Sequence, residues 1–236
     1  MNVDEQLQQL VQRLAAALGD NLLAVVLYGS AARGEYHEKH SDLNVLCALR
    51  QVCLGELERL AEPLRWWLKS GQTAPLFLSA EEIRDAADVF PIEFLDIRAA
   101  YRVLHGPDLV AAMEINTINH RRQLEHEIRS RLLRLRRRFL ETQHDDKALA
   151  GLMLDSLPTF ATLFRHALLV AGFETPLKKP EIFREVAQRF HIGPSPFDLL
   201  LEVRASARQL QPDEARSWFD SYLTAVTRLA EIVDEL

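Results

Sequence analysis

One stretch constrains the fold more than any other. Leu22–Tyr28 is an unbroken β-rich apolar run that ends directly in Gly29-Ser30; a short turn containing Arg33 follows, and after an eleven-residue gap Asp42 opens a second run, Asp42–Leu49. Seven apolar residues closed by a glycine predict a strand buried on both faces. The second run alternates polar and apolar residues, which places Asp42, Asn44 and Leu46 on one face of a second strand. Gly29 allows the backbone to approach a ligand closely, and the Ser30 hydroxyl with neighbouring N–H groups can cradle phosphate oxygens. A helix starting at Ser30 or Ala31 would aim its positive end at the same place. Asp42 and Asn44 lie about 7 Å apart along a strand, close enough to converge on divalent cations. Taken singly, Gly29-Ser30 also suits a plain strand–helix turn, Arg33 a surface ion pair and Asp42 a strand cap.

The surrounding chain predicts an α/β domain of alternating helices and strands followed by an all-α helical bundle. Leu7, Leu10, Val11, Leu14 and Leu18 recur at helical spacing before Gly19, a C-cap glycine. Leu54–Lys69 reads as helix with a break near Pro63, and Ala74–Leu78 as a third strand. Ser79-x-x-Glu82 is a capping box opening a helix to about Asp88. Ile92–Ile97 and Tyr101–His105 are read as a fourth and a fifth strand, which would put Glu93 and Asp96 on opposite faces of the sheet. After the turn Gly106-Pro107-Asp108 the strand signals fade, so the domains are read as 1–106 and 107–236. Helices are expected over about Thr117–Thr142, Asp146–Ala171, Lys179–Phe190, Pro196–Arg208 and Asp213–Glu235.

Composition narrows the class. With 48% hydrophobic and 26% charged residues the chain is not a disordered or low-complexity protein. No apolar run approaches the roughly 18 residues of a membrane span, and the acidic, glutamine-rich start does not resemble a targeting segment. Cys47 and Cys53 have neither metal-ligand spacing nor a disulfide framework around them, so a soluble protein of the reducing cytoplasm is expected, with Cys47 in the core. The net charge of -6 is unevenly spread: His120–Glu141 holds eight arginines against three glutamates. Such a helix either presents a solvated face or attracts an anionic or protein partner, and Arg131, Arg134 and Arg138 are the positions through which it would do so. Nucleic acid and membrane are not expected partners. Arg121 and His126 loosely match the Arg–His pair of HEPN-type RNases, yet residues five apart on a helix diverge by about 140°.

The residues from Leu22 to Val45 resemble the nucleotidyltransferase superfamily of the DNA polymerase β type. Its pattern is a hydrophobic strand, Gly-Ser, a gap, then Asp-hydrophobic-Asp/Glu-hydrophobic; here it reads Leu27-Tyr28-Gly29-Ser30 and Asp42-Leu43-Asn44-Val45. The accessory GSAARGE resembles the minimal and aminoglycoside branches, in which Pro91–Arg98 would match a later strand and put Glu93 at the third carboxylate. The resemblance implies an α+β fold for the first domain, a mixed sheet with flanking helices, and a nucleoside triphosphate held by Gly29, Ser30 and Arg33. It implies Mg²⁺ held by Asp42 and Glu93, and transfer of a nucleoside monophosphate to a hydroxyl acceptor with Asp42, Asn44 and Glu93 as catalytic residues. Asn44 departs from the family's acid, which lowers the protein carboxylates from three to two and makes the metal site weak. The alternative is a catalytically silent nucleotide-sensing or partner-binding module of the same fold. Polycationic aminoglycosides suit an Arg-rich helix poorly as acceptors.

Overall fold

The computed structural model describes residues 2–34, 43–85, 89–142, 144–193, 196–205 and 214–236. They form two compact units, Met1–Thr117 and Ile118–Leu236.

The first unit is built on a four-stranded sheet. The run Leu22–Tyr28 is strand β1, flanked by β2 (Asn44–Leu49) and β4 (Tyr101–His105), with β3 (Leu76–Ser79) outside β2. Both neighbours of β1 run antiparallel to it, while β3 is parallel to β2, so the sheet is mixed. Period-2 alternation divides the side chains between two cores. Val25, Leu27, Val45 and Cys47 pack against Leu7, Leu10 and Leu14 of helix α1 (Val3–Leu18) and against Trp67. Ala24, Val26, Leu46 and Ala48 face the other side, where Ile83, Phe94, Ile97, Val110 and Met113 cover them. Cys47 is buried in the first core, as its alternation from Asn44 requires.

Turn chemistry fixes several joints. Leu54–Lys69 divides into α2 (Leu54–Arg59) and α3 (Ala61–Lys69), with Pro63 in the first turn of the second helix, where a missing N–H costs nothing. The capping box forms: the Ser79 N–H donates to Glu82 Oε2 at 2.6 Å and the Glu82 N–H to Ser79 Oγ at 3.0 Å, opening α4 (Ala80–Asp85). At Gly106, with φ 77°, a Cβ would run into the Leu23 carbonyl, so only glycine turns the chain there.

Ile92–Ile97 is not a strand. Pro91–Ala99 is helix α5, with Pro91 at its first positions and Glu93 in its first turn. Proline pre-sets φ for a first helical turn and an acid there complements the helix dipole. Ile92, Phe94 and Ile97 are buried by this winding, the last two in the second core, so burial and capping both favour helix.

The second unit is all helix: α6 (His120–Thr142), α7 (Asp146–Val170), α8 (Lys179–Phe190), α9 (Phe197–Arg204) and α10 (Ala215–Glu235). Helix α7 packs against the other four, and its residues Phe160 and Phe164 meet Phe183, Phe197 and Tyr222 in an aromatic core. A buried hydrogen bond of 2.8 Å joins His120 Nε2 to His166 Nδ1, tying α6 to α7. Pro158 lies inside α7 and cannot donate to the carbonyl four residues earlier; Arg204 Nη1 donates to that carbonyl, Leu154 O, at 3.2 Å. No helix of the described residues is long and apolar enough to cross a membrane.

Candidate functional site

The candidate site lies where β1 ends. Tyr28 stands abreast of Asn44 on one side and Tyr101 on the other, in register across three antiparallel strands. Alternation places Tyr28 with Val26, Asn44 with Leu46, and Tyr101 with Val103, so the three side chains form a row on the face covered by the second core. Helix α5 covers this face.

On α5, Glu93 and Asp96 are three residues apart and share one side of the helix. The strand reading, which separated them across the sheet, is thereby corrected: one carboxylate does not exclude the other. Both act on Tyr28. Its hydroxyl is held above the usual tyrosine range, first by burial and then by the negative charges of Asp96 and Glu93. Glu93 is exposed and Asp96 half-buried, so the electronegative side of α5 runs from solvent to the row of polar side chains. Tyr101 donates its hydroxyl to Asp108 Oδ2 at 2.9 Å, which raises its pKa as well, while Asp108 Oδ1 accepts the Ala111 N–H.

The backbone leaves β1 through Gly29, at φ 79° and ψ -151°. A Cβ there would approach Asn44 Nδ2 to 3.2 Å, and the positive φ independently selects glycine. The Gly29 N–H donates to Ala100 O at 2.9 Å and so is not a phosphate ligand. Among the described residues the donors left at this turn are the N–H groups of Ser30 and Ala31 and the Ser30 hydroxyl. Ser30–Arg33 is a single 3-10 turn rather than a helix, so the dipole expected at Ser30 or Ala31 is reduced to these local donors. Arg33 closes the turn, half-buried. The start of β2 is fixed by Gln72, whose Oε1 accepts the Leu43 N–H at 3.0 Å.

Gly29, Ser30, Arg33 and Asn44 thus meet at one end of the sheet, with Glu93 brought there by α5. Asp42, with Glu35, His37 and His40 of the same loop, lies outside the described residues. Tyr28, Tyr101 and Asp108 escape sequence reasoning, which weighed Asp96 only as the alternative to Glu93. The signal for placing Asp96 together with Glu93 is Phe90-Pro91-Ile92-Glu93, a helix opening rather than a strand. Among the described residues no three His, Cys, Asp or Glu side chains gather as a metal site.

No family model matches the sequence, and no curated protein matches it. The fold does have a solved counterpart: spectinomycin adenyltransferase AAD(9) from Enterococcus faecialis, crystallised with ATP and spectinomycin. The likeness covers 99% of this chain and 100% of that one at a TM-score of 0.61 and 14% identity. The chain therefore has the nucleotidyltransferase-like α+β fold, carried through a helical C-terminal region.

Proposed function

We propose that the chain binds a nucleoside triphosphate with Mg²⁺ and transfers its nucleoside monophosphate to a hydroxyl of a small acceptor. The observation that carries this reading is the meeting, at one end of the sheet, of the Gly29-Ser30 turn, Asn44 and the two carboxylates of α5. Likeness to an adenyltransferase along the whole chain favours transfer over a silent module.

The donor set suits a hard cation held in part by substrate. Asp42 and Glu93 offer carboxylate oxygens, Asn44 offers a neutral amide oxygen, and magnesium commonly takes one or two carboxylates and completes its shell with water and phosphate. When bound, such a cation neutralises charge on the triphosphate. Ser30 and Arg33 hold phosphate oxygens by their donors, and Arg33 adds a positive charge. Glu93, the more exposed acid of α5, takes the proton of the acceptor hydroxyl. The acceptor oxygen bonds to the α-phosphorus, the bond from that phosphorus to the β-phosphate bridging oxygen breaks, and pyrophosphate leaves with the electron pair. Asp96, on the same side of α5, supplies part of the charge that Asn44 lacks.

The test follows pyrophosphate release from each of the four common nucleoside triphosphates with Mg²⁺ or Mn²⁺, with spectinomycin first among small polyhydroxy acceptors. Glu93→Gln should lower turnover by about 10²–10⁴-fold and, because it also removes a carboxylate from the cation, weaken Mg²⁺-dependent nucleotide affinity by about tenfold. Wild-type turnover no higher than that of Glu93→Gln with every nucleotide and acceptor overturns the assignment.

A further inference from the structure

The Arg-rich helix belongs to the second unit and supplies none of the residues named above. Helix α6 carries eight arginines and three glutamates on a chain whose net charge is -6, so it is a positive strip on an otherwise acidic protein. Three of those arginines, Arg131, Arg134 and Arg138, line a groove of about 580 Å³ between α6 and α7. Their spacing puts them within one sector of the helix. Arg131 is engaged by Glu127 at 3.1 Å, and Arg138 shares Glu141 with Arg137 at 3.5 Å. Arg134 meets no carboxylate among the described residues. Leu135 and Leu152 supply apolar wall, Thr159 a hydroxyl and Asp155 one opposing charge.

Gly151 lines this groove. It sits in the interior of the 25-residue helix α7, where glycine is a poor helix former, and it has no positive φ to justify it. A Cβ at this position would meet nothing within 4 Å. The glycine therefore serves neither a turn nor a close backbone contact, and it forms part of the groove's wall. The volume lies within the range of small-molecule sites, with a few polar groups set in a partly apolar wall.

We propose that the groove between α6 and α7 binds an organic phosphate, with Arg134 and Arg138 holding the phosphate and Leu135 and Leu152 packing its organic part. A guanidinium fork matches phosphate geometry, and a second arginine one turn away allows both to reach one anion. Asp155 opposes a bare anion, which favours a ligand whose phosphate sits at the α6 side and whose organic body faces α7.

The test uses the full chain and three probes observed by saturation-transfer NMR: phenyl phosphate, inorganic phosphate and phenol. Phenyl phosphate should bind saturably, about tenfold tighter than either fragment, and weaken as salt is raised. The double variant Arg134→Gln/Arg138→Gln should lose roughly tenfold in affinity. Gly151→Leu should lose binding too while keeping or raising thermal stability, because it fills open space within a helix. Glu93→Gln, which disables the proposed transfer site, should leave phenyl phosphate binding unchanged, so the two assignments fail separately. Unchanged affinity in both groove variants, or an acidic peptide that binds α6 where phenyl phosphate does not, overturns the proposal.

Discussion

At the scale of single residues, Asn44 decides most. It stands beside Tyr28, on the face toward which Glu93 and Asp96 project their charge. Asn44→Asp adds a third charge at that point. With Mg²⁺ present, nucleotide affinity should rise by about tenfold, since a carboxylate is a far better ligand for a hard cation than an amide. Without the cation it should fall, because the added charge repels triphosphate. Calorimetry in the two conditions reads the opposite signs, and Asp42→Asn in the same background should abolish the gain. The charge also has a reporter: Tyr28 is held protonated by burial and then by Asp96 and Glu93. Asp96→Asn should let Tyr28 ionise at a lower pH than in the parent, seen in a tyrosinate absorbance titration. A Tyr28 titration unmoved by Asp96→Asn would place that carboxylate away from the sheet end.

Helix α7 sets the problem at the scale of elements. A proline within a helix removes one donor, and here a side chain from another helix replaces it: Arg204 on α9 reaches Leu154 O. Losing that donor leaves a carbonyl unpaired, which costs roughly 1–3 kcal/mol when it is shielded from water. Arg204→Ala should therefore destabilise the protein, and less so in a Pro158→Ala background, where residue 158 regains the N–H that Leu154 O requires. Urea unfolding of the two single variants and the double variant gives the coupling energy; a coupling near zero would assign the Arg204 effect to its other contacts. Gly151→Ala makes the complementary point. With open space around it, the new methyl should stabilise α7 by about 1 kcal/mol, measurable as a higher urea midpoint.

For the whole molecule, a core in each of the two units is vulnerable to alkali. Cys47 sits in the sheet core and Tyr222 in the helical core, and burial pushes both groups' pKa upward; the hydrogen bond with Ser156 opposes the shift at Tyr222 only in part. A folded-state pKa raised above its unfolded value contributes stability that is fully present below the unfolded pKa. That contribution is lost as pH climbs toward the folded one. Stability should accordingly fall above the ordinary thiol and phenol values of about 9 and 10, with these groups, together with Tyr28, contributing no slope near neutrality. Urea midpoints measured across that range test this. Cys47→Ala should start lower, because a buried side chain is shortened, yet decline less steeply. The exposed Cys53 should react with a thiol reagent in the native protein, and Cys47 only after unfolding.

The sequence by itself determined whatever depends on neighbours along the chain. The apolar run of β1, the alternation that puts Asn44 on one face and Cys47 on the other, the capping box at Ser79 and the stripe of α6 all follow from spacing of a few residues. The likeness of fold that the Gly29-Ser30 and Asp42–Val45 pattern implied has a counterpart in a solved structure. Tertiary structure decided what spacing leaves open. Residues 92–97 satisfy a strand's alternation and a helix's opening together, and docking of Phe94 and Ile97 into the second core settles them as helix. That winding brings Glu93 and Asp96 onto one side facing Tyr28, an arrangement no sequence period encodes, because it joins residues more than sixty positions apart. The groove on the helical unit has the same origin. Arg131, Arg134 and Arg138 share a face by helical geometry alone, but the space before them is set by how α7 packs alongside, with Gly151 in its wall. Local periodicity fixes which face a residue occupies; only packing fixes what that face meets.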